Sequence, residues 1–168
     1  MRIQAVTVSG FRSFGPDPTQ ITLGGDLAAL VGPNGSGKTA LLQSLEKLFG
    51  VSRAQRAIQR TDFHIPADED PANPQPRELF IDVEISLPEL AARSATAETI
   101  APAFRHMRVE STAQSPVCRM RLEARWEDDG TVEGDVVQEM YWVDTLAATP
   151  KDDEKHIVGA AERGLIQL

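Results

Sequence analysis

The sequence predicts an α/β fold built around a glycine-rich loop, and three observations carry that expectation. A continuous apolar run, Leu27-Ala28-Ala29-Leu30-Val31, leads directly into the string GPNGSGKT at 32–39. After it, Ala40, Leu41, Leu42, Leu45, Leu48 and Phe49 recur at helical spacing, and Gly50 supplies a C-terminal stop. Elsewhere apolar and β-branched residues alternate with polar ones, the period of a strand with one face covered.

In chain order, residues 2–9 (RIQAVTVS) read as a strand. A polar turn from Gly10 to Phe14 passes through Gly15, Pro16 and Pro18 to a second short strand near 20–23. The run 27–31 is expected to be a strand buried on both faces. Residues 66–76 (PADEDPANPQP) read as an exposed loop. Residues 78–87 (ELFIDVEISL) read as a strand, with Pro88 opening a helical stretch. Residues 117–127 and 131–143 form a hairpin around Asp128-Asp129-Gly130. With a three-residue loop, Arg125 falls opposite Glu133 and Arg119 opposite Glu139, and Gly130 takes a positive φ. A polar segment at 147–155 precedes a short helix. Leu165-Ile166-Gln167-Leu168 then resembles the start of a further strand, as in a piece of a longer protein. There are no internal repeats.

The 168 residues suffice for one domain with a sizeable core, and 41% hydrophobic with 25% charged residues is ordinary globular composition. Seventeen basic against twenty-five acidic residues give a net charge of −8. That argues against a broad nucleic-acid or anionic-membrane surface, while leaving room for a local basic patch. The single cysteine, Cys118, cannot form an internal disulfide, which fits a reducing compartment. No apolar run approaches a membrane span, and the N-terminus lacks the apolar core of a signal peptide. The expected location is the cytoplasm, with no membrane partner.

Gly32, Gly37, Lys38 and Thr39 meet the pattern of a phosphate-binding P-loop, in the strand-before, helix-after setting that the motif requires. A random chain of this length meets the bare pattern under roughly one time in a hundred. Glycines let successive backbone N–H groups point inward as an anion nest, and the helix N-terminus adds its unpaired amides. ATP with Mg2+ is therefore the expected ligand. Asn34, Gly35, Ser36, Gly37, Lys38, Thr39 and Ala40 surround the phosphates, Lys38 reaches the β- and γ-phosphates as the catalytic cation, and the Thr39 hydroxyl is the metal ligand.

Hydrolysis also needs a carboxylate to hold magnesium. Asp82 and Asp144 each end an apolar stretch, but Asp82 reads better as an outward strand residue and Asp144 sits at a hairpin end. Arg119, Arg121 and Arg125 share one strand face; cross-strand pairing with Glu133, Asp135 and Glu139 is the stronger reading than a DNA-binding stripe. Arg53, Arg56 and Arg60 make one basic face if their stretch is a continuous helix, with solvated surface the stronger reading. Asp62 and His64 are two ligand types without a third, which is weak for a metal.

Ser9-Gly10-Phe11-Arg12-Ser13-Phe14, a second strand and then GPNGSGKT resemble the opening of the ABC-type ATPases of DNA metabolism, which include the SMC proteins, RecF and the OLD-family ATP-dependent endonucleases. Arg60-Thr61-Asp62-Phe63-His64, the acidic proline-rich loop, Leu87-Pro88-Glu89-Leu90 and the closing Arg163-Gly164-Leu165-Ile166-Gln167-Leu168 look most like the OLD family. The resemblance implies a P-loop NTPase of the ABC-ATPase type, a mixed sheet with an antiparallel β-subdomain, and residues 1–168 as a truncated N-terminal lobe carrying the hairpin 117–143. It adds Arg12 and Ser13 to the nucleotide site and places Asp62 near the adenine side. It implies a homodimer and DNA as partners of the full-length protein, with roles in DNA repair or phage defence. No signature motif, Walker B pair or nuclease domain is recognisable, so ATP hydrolysis by this chain alone stays open. An ABC transporter subunit is the second reading, weakened by the lack of a Leu-Ser-Gly-Gly-Gln string. A dimerisation module that senses ATP without hydrolysing it is the third.

Overall fold

Four alternating segments set the architecture, because each can cover only one face by itself. In the computed structural model, which describes residues 2–25, 27–70, 74–86, 110–112, 115–131 and 134–165, they join into one sheet. Its strands are β1 (Arg2–Ser9), β2 (Thr19–Thr22), β3 (Arg77–Ser86), β4 (Glu110–Thr112), β5 (Ser115–Glu127), β6 (Asp135–Val143) and β7 (Lys155–Ile157). The order is β2-β1-β3-β5-β6-β7, with β4 paired to β5. Every pairing among the described residues is antiparallel.

The register stacks apolar residues in rows across the sheet. Val8, Ile81, Leu122 and Met140 form one row; Val6, Val83, Met120 and Trp142 form the next. Helix α1 (Lys38–Phe49) lays Ala40, Leu41, Leu48 and Phe49 on this face, and all join a single core. Burying each large side chain contributes about 1.5–3 kcal/mol. The α1 stop is as expected, with the Gly50 amide donating to the Glu46 carbonyl.

Helix α2 (Arg53–Arg56) is only four residues long, opened by a Ser52–Gln55 capping box and ended by extended Ala57. The continuous helix that a single basic face of Arg53, Arg56 and Arg60 would need therefore does not form. Arg56 donates to the Gly50 and Val51 carbonyls, and Arg60, in a 3-10 turn at Arg60–Asp62, lies over the Trp126 ring. A second such turn (Asp152–Glu154) leads into β7, and helix α3 (Ala160–Leu165) follows.

The run 27–31 departs from expectation. It forms no strand, and Leu27 and Val31 are 89% and 93% exposed. A strand buried on both faces needs ladder neighbours and two covering layers, and no described segment pairs with this one. The hairpin also differs in register. Arg125 faces Val137 and Arg119 faces Val143, four positions from the expected pairing. The shift is even, so the apolar residues keep their common face. The connection is longer because Asp128 and Asp129 fold it locally, accepting bonds from the Gly130 and Thr131 amides. Gly130 has φ 81, as expected; Glu133 lies outside the described residues.

Two of the strand arginines, Arg119 and Arg121, are paired with β3, whereas Arg125 pairs with Glu127 on its own strand. Arg119 forks onto both carboxylate oxygens of Asp82 at 2.7 Å, and Arg121 approaches Asp82 at 3.4 Å and Glu123 at 2.9 Å. The carbonyls of Thr145 and Ala147 accept from Arg119, and that of Ala148 from Arg121, which roofs the cluster. Burial pulls the Arg121 pKa down, against the pull of Asp82 and Glu123. Burial likewise pushes the Cys118 thiol up to about 12, so it is an inert core residue. The helix expected after Pro88 lies outside the described residues; of the strand expected at 165–168, Leu165 instead ends α3 and the rest lies outside them. No helix among the described residues is long and apolar enough to cross a membrane.

Candidate functional site

The glycine-rich string ends where α1 begins. Gly37, at the helix N-cap, has φ 85, a region that residues with a Cβ avoid. A Cβ there would also meet a Phe14 ring carbon at 3.2 Å and Ser13 Oγ at 3.4 Å. The Phe-Arg-Ser-Phe element thus packs directly on the loop. No side chain caps Gly37 and the first turn of α1 holds no acidic residue, so the helix N-terminus is open to an anion. Lys38 Nζ donates to the Gly32 and Pro33 carbonyls at 2.7 and 2.6 Å and to Ser36 Oγ at 3.3 Å, which draws the ammonium over the loop.

Arg12 is fixed by a turn that crosses the sheet. Gly10 has φ 64, and a Cβ on it would lie 2.1 Å from the Glu78 carbonyl oxygen, so β1 can pass β3 this closely only with glycine. The next residues dock on the segment 62–64. Phe11 bridges Phe63, the Arg12 amide donates to the Asp62 carbonyl at 2.8 Å, and the His64 amide donates to that of Gly10 at 2.8 Å. His64 Nδ1 lies 2.7 Å from the Arg12 carbonyl oxygen, which requires the proton on Nδ1. Arg12 itself has φ 51, a left-handed conformation costing a residue with a Cβ about 1–2 kcal/mol.

The guanidinium is tied down as firmly. Arg12 Nε and Nη2 donate to Asp62 Oδ1 at 3.0 and 2.7 Å, and Nη1 donates to Gln43 Oε1 at 2.7 Å. Asp62 is 1% exposed, and its other oxygen accepts from Lys47 Nζ at 2.8 Å and the Gln59 amide at 3.0 Å. Burial would raise the Asp62 pKa, but Lys47, the Gln59 amide and Arg12 together hold it below the ordinary carboxylate value.

Arg12, Ser13 and residues 34–40 line one cavity of about 360 Å³. Asp62 stands behind Arg12 and does not line it. Gln43 does, and sequence reasoning missed it; the available signal was its place four residues after Thr39, hence on the same helix face. The lining carries two cations and no carboxylate, which fits a polyphosphate. Thr39, expected as the metal ligand, lines the cavity together with the hydroxyls of Ser13 and Ser36, and no cluster of three His, Cys, Asp or Glu suited to a metal occurs among the described residues. Asp82 is enclosed by arginines, and Asp144 lies 2.9 Å from His156; neither lines the cavity. A larger hollow of about 870 Å³ lies on the outer face of the sheet, between Phe80, Glu123, Glu139 and Tyr141. Size does not make it the site, since its charges are mostly satisfied by one another: Arg121 with Glu123, Arg125 with Glu127 and the Tyr141 hydroxyl with Glu139.

A family model described as AAA ATPase domain matches residues 1–120. The chain is 34% identical over 86 residues to the chromosome partition protein Smc of Delftia acidovorans and 33% identical over 86 residues to that of Burkholderia pseudomallei. Each match covers 49% of this chain and 7% of the relative's length. A solved structure described as "Structural biochemistry of ATP-driven dimerization and DNA stimulated activation of SMC ATPases" superposes on 99% of this chain and 77% of its own, with a TM-score of 0.57 and 17% identity.

Proposed function

Since the chain belongs to the AAA ATPase domain family and has the fold of the SMC ATPases, we propose that it is the ATP-binding lobe of an ABC-type ATPase. The observation that carries this is the cavity at the uncapped start of α1, lined by Lys38 and Arg12 and by no carboxylate. The amides of 34–40 and the α1 N-terminus receive the phosphates, Lys38 neutralises the β- and γ-phosphoryl oxygens, and Arg12 and Ser13 close the opposite side. Thr39 is the residue of this cavity that would hold magnesium, which when bound would supply charge neutralisation at the phosphates. Phe14 packs on Gly37 and keeps the Phe-Arg-Ser-Phe turn in register with the loop.

At a finer level we place the chain, residues 1–168, as the N-terminal lobe of an OLD-family ATP-dependent endonuclease, on the resemblance of Arg60-Thr61-Asp62-Phe63-His64 and the closing residues. A second copy and DNA are then its partners in the whole protein. A nucleotide-sensing module without hydrolysis is the second reading, favoured by the lack of a carboxylate in the cavity lining.

Calorimetric titration with MgATP tests the site. Lys38→Ala should reduce affinity at least tenfold at unchanged circular dichroism, by loss of a charged hydrogen-bonding group worth about 1.5–3 kcal/mol. Parental affinity in that variant would overturn the proposal.

A further inference from the structure

Arg12 is the only described cation of the cavity wall that is held by a side-chain framework of its own. Lys38 is drawn to loop carbonyls, whereas Arg12 is braced on two sides, by Asp62 from the core and by Gln43 from α1. A guanidinium has five N–H donors in a rigid plane. Three are engaged here, two by Asp62 Oδ1 and one by Gln43 Oε1, so two remain for the cavity that Arg12 lines. The arginine side chain is 35% exposed while Asp62 is 1% exposed, which separates a presenting group from a supporting one. The support is itself fixed, because Lys47 and the Gln59 amide saturate the second Asp62 oxygen.

We propose that Asp62 and Gln43 are positioning residues that aim the two remaining Arg12 donors at the phosphates of the nucleotide held by Lys38. This rests on the nucleotide-site reading above and changes the part given to Asp62, which acts through Arg12 and touches no ligand. Pre-orientation matters because a free arginine side chain must be ordered on binding, whereas a braced one loses little freedom per bond formed. Gln43 supplies the brace without charge, so it does not repel the phosphates that share its cavity.

The experiment is a mutant cycle on the whole chain, read by MgATP calorimetry and by thermal melting. Gln43→Ala is expected to weaken ATP roughly two- to tenfold, as loss of one hydrogen bond does. Asp62→Asn keeps an acceptor but removes the charge, and should weaken ATP further. In an Arg12→Ala background neither change should cost additional affinity, since the residue they act through is gone. A merely structural role would lower the melting temperature and leave the affinity of the folded protein alone. Parental affinity in Gln43→Ala and Asp62→Asn, or losses that add fully to that of Arg12→Ala, would overturn the proposal. If Asp62→Asn fails to fold, Gln43→Ala and its double variant decide the matter. A parent chain with no ATP binding, or one whose binding survives Lys38→Ala, would instead overturn the nucleotide-site reading on which this rests.

Discussion

At Arg12 a strained backbone is kept in place by one short segment, which bonds its amide, its carbonyl and its guanidinium through Asp62 and His64. Strain held this way can be measured. Arg12→Gly and Arg12→Ala both remove the guanidinium, yet glycine also relieves the left-handed cost of about 1–2 kcal/mol. Its greater freedom in the unfolded chain offsets part of that, so Arg12→Gly should be the more stable of the two by up to about 1 kcal/mol. Equal melting temperatures would show that the turn imposes no strain. Asp62 gives a prediction in pH. Its folded pKa lies below the ordinary 3.8, so its contribution is full above that value and is lost as pH falls through the folded one. The stability gap between the parent and Asp62→Asn should therefore be widest near neutrality and narrow below pH 3.8. A gap that is flat down to pH 2 would contradict the pairing.

Strands β1, β3, β5 and β6 and helix α1 were legible because each has a period, whereas β4 and β7, three residues each, are too short to show one; the two edges of α1 are marked by Gly37 and Gly50. The hairpin partners were not legible, because register depends on the loop. Two Asx bonds in 128–131 lengthen it, and parity alone cannot distinguish registers four positions apart. Arg119 and Arg121 consequently found a partner on β3, a strand distant in sequence, which local pairing rules cannot identify. The P-loop face of the site was readable as a string; Gln43 and the brace behind Arg12 were not, since they depend on where α1 and 62–64 meet. The Asp82 cluster separates the two parts a carboxylate can play here. Asp82→Ala leaves Arg119 buried without its counter-ion and Arg121 with Glu123 alone, and should cost about 3–5 kcal/mol in chemical denaturation. ATP affinity of the folded variant should match the parent. A selective loss of magnesium-dependent binding would mark Asp82 as a metal carboxylate instead.

For the molecule as a whole, the described lining of the cavity carries two cations but no carboxylate. The isolated chain should accordingly bind MgATP and turn it over slowly or not at all in a phosphate-release assay. Robust turnover that vanishes in Lys38→Ala would mean that a carboxylate outside the cavity lining reaches the phosphates. The antiparallel pairing of β1 with β3 also orders events at the ribosome. Ser9 pairs with Phe80 and Arg2 with Ser86, so the first strand emerges 71 to 84 residues ahead of the neighbour that completes it. The glycine-rich loop and its lysine leave the tunnel during that interval, followed by the Asp62 that will brace Arg12. Until β3 has been made, the Gly10 crossing has nothing to cross. Pairings of this sequence separation are slow to close. A nascent chain paused before residue 77 should therefore carry the whole phosphate-binding string and still lack the fixed arginine, while one paused well beyond residue 127 can hold both.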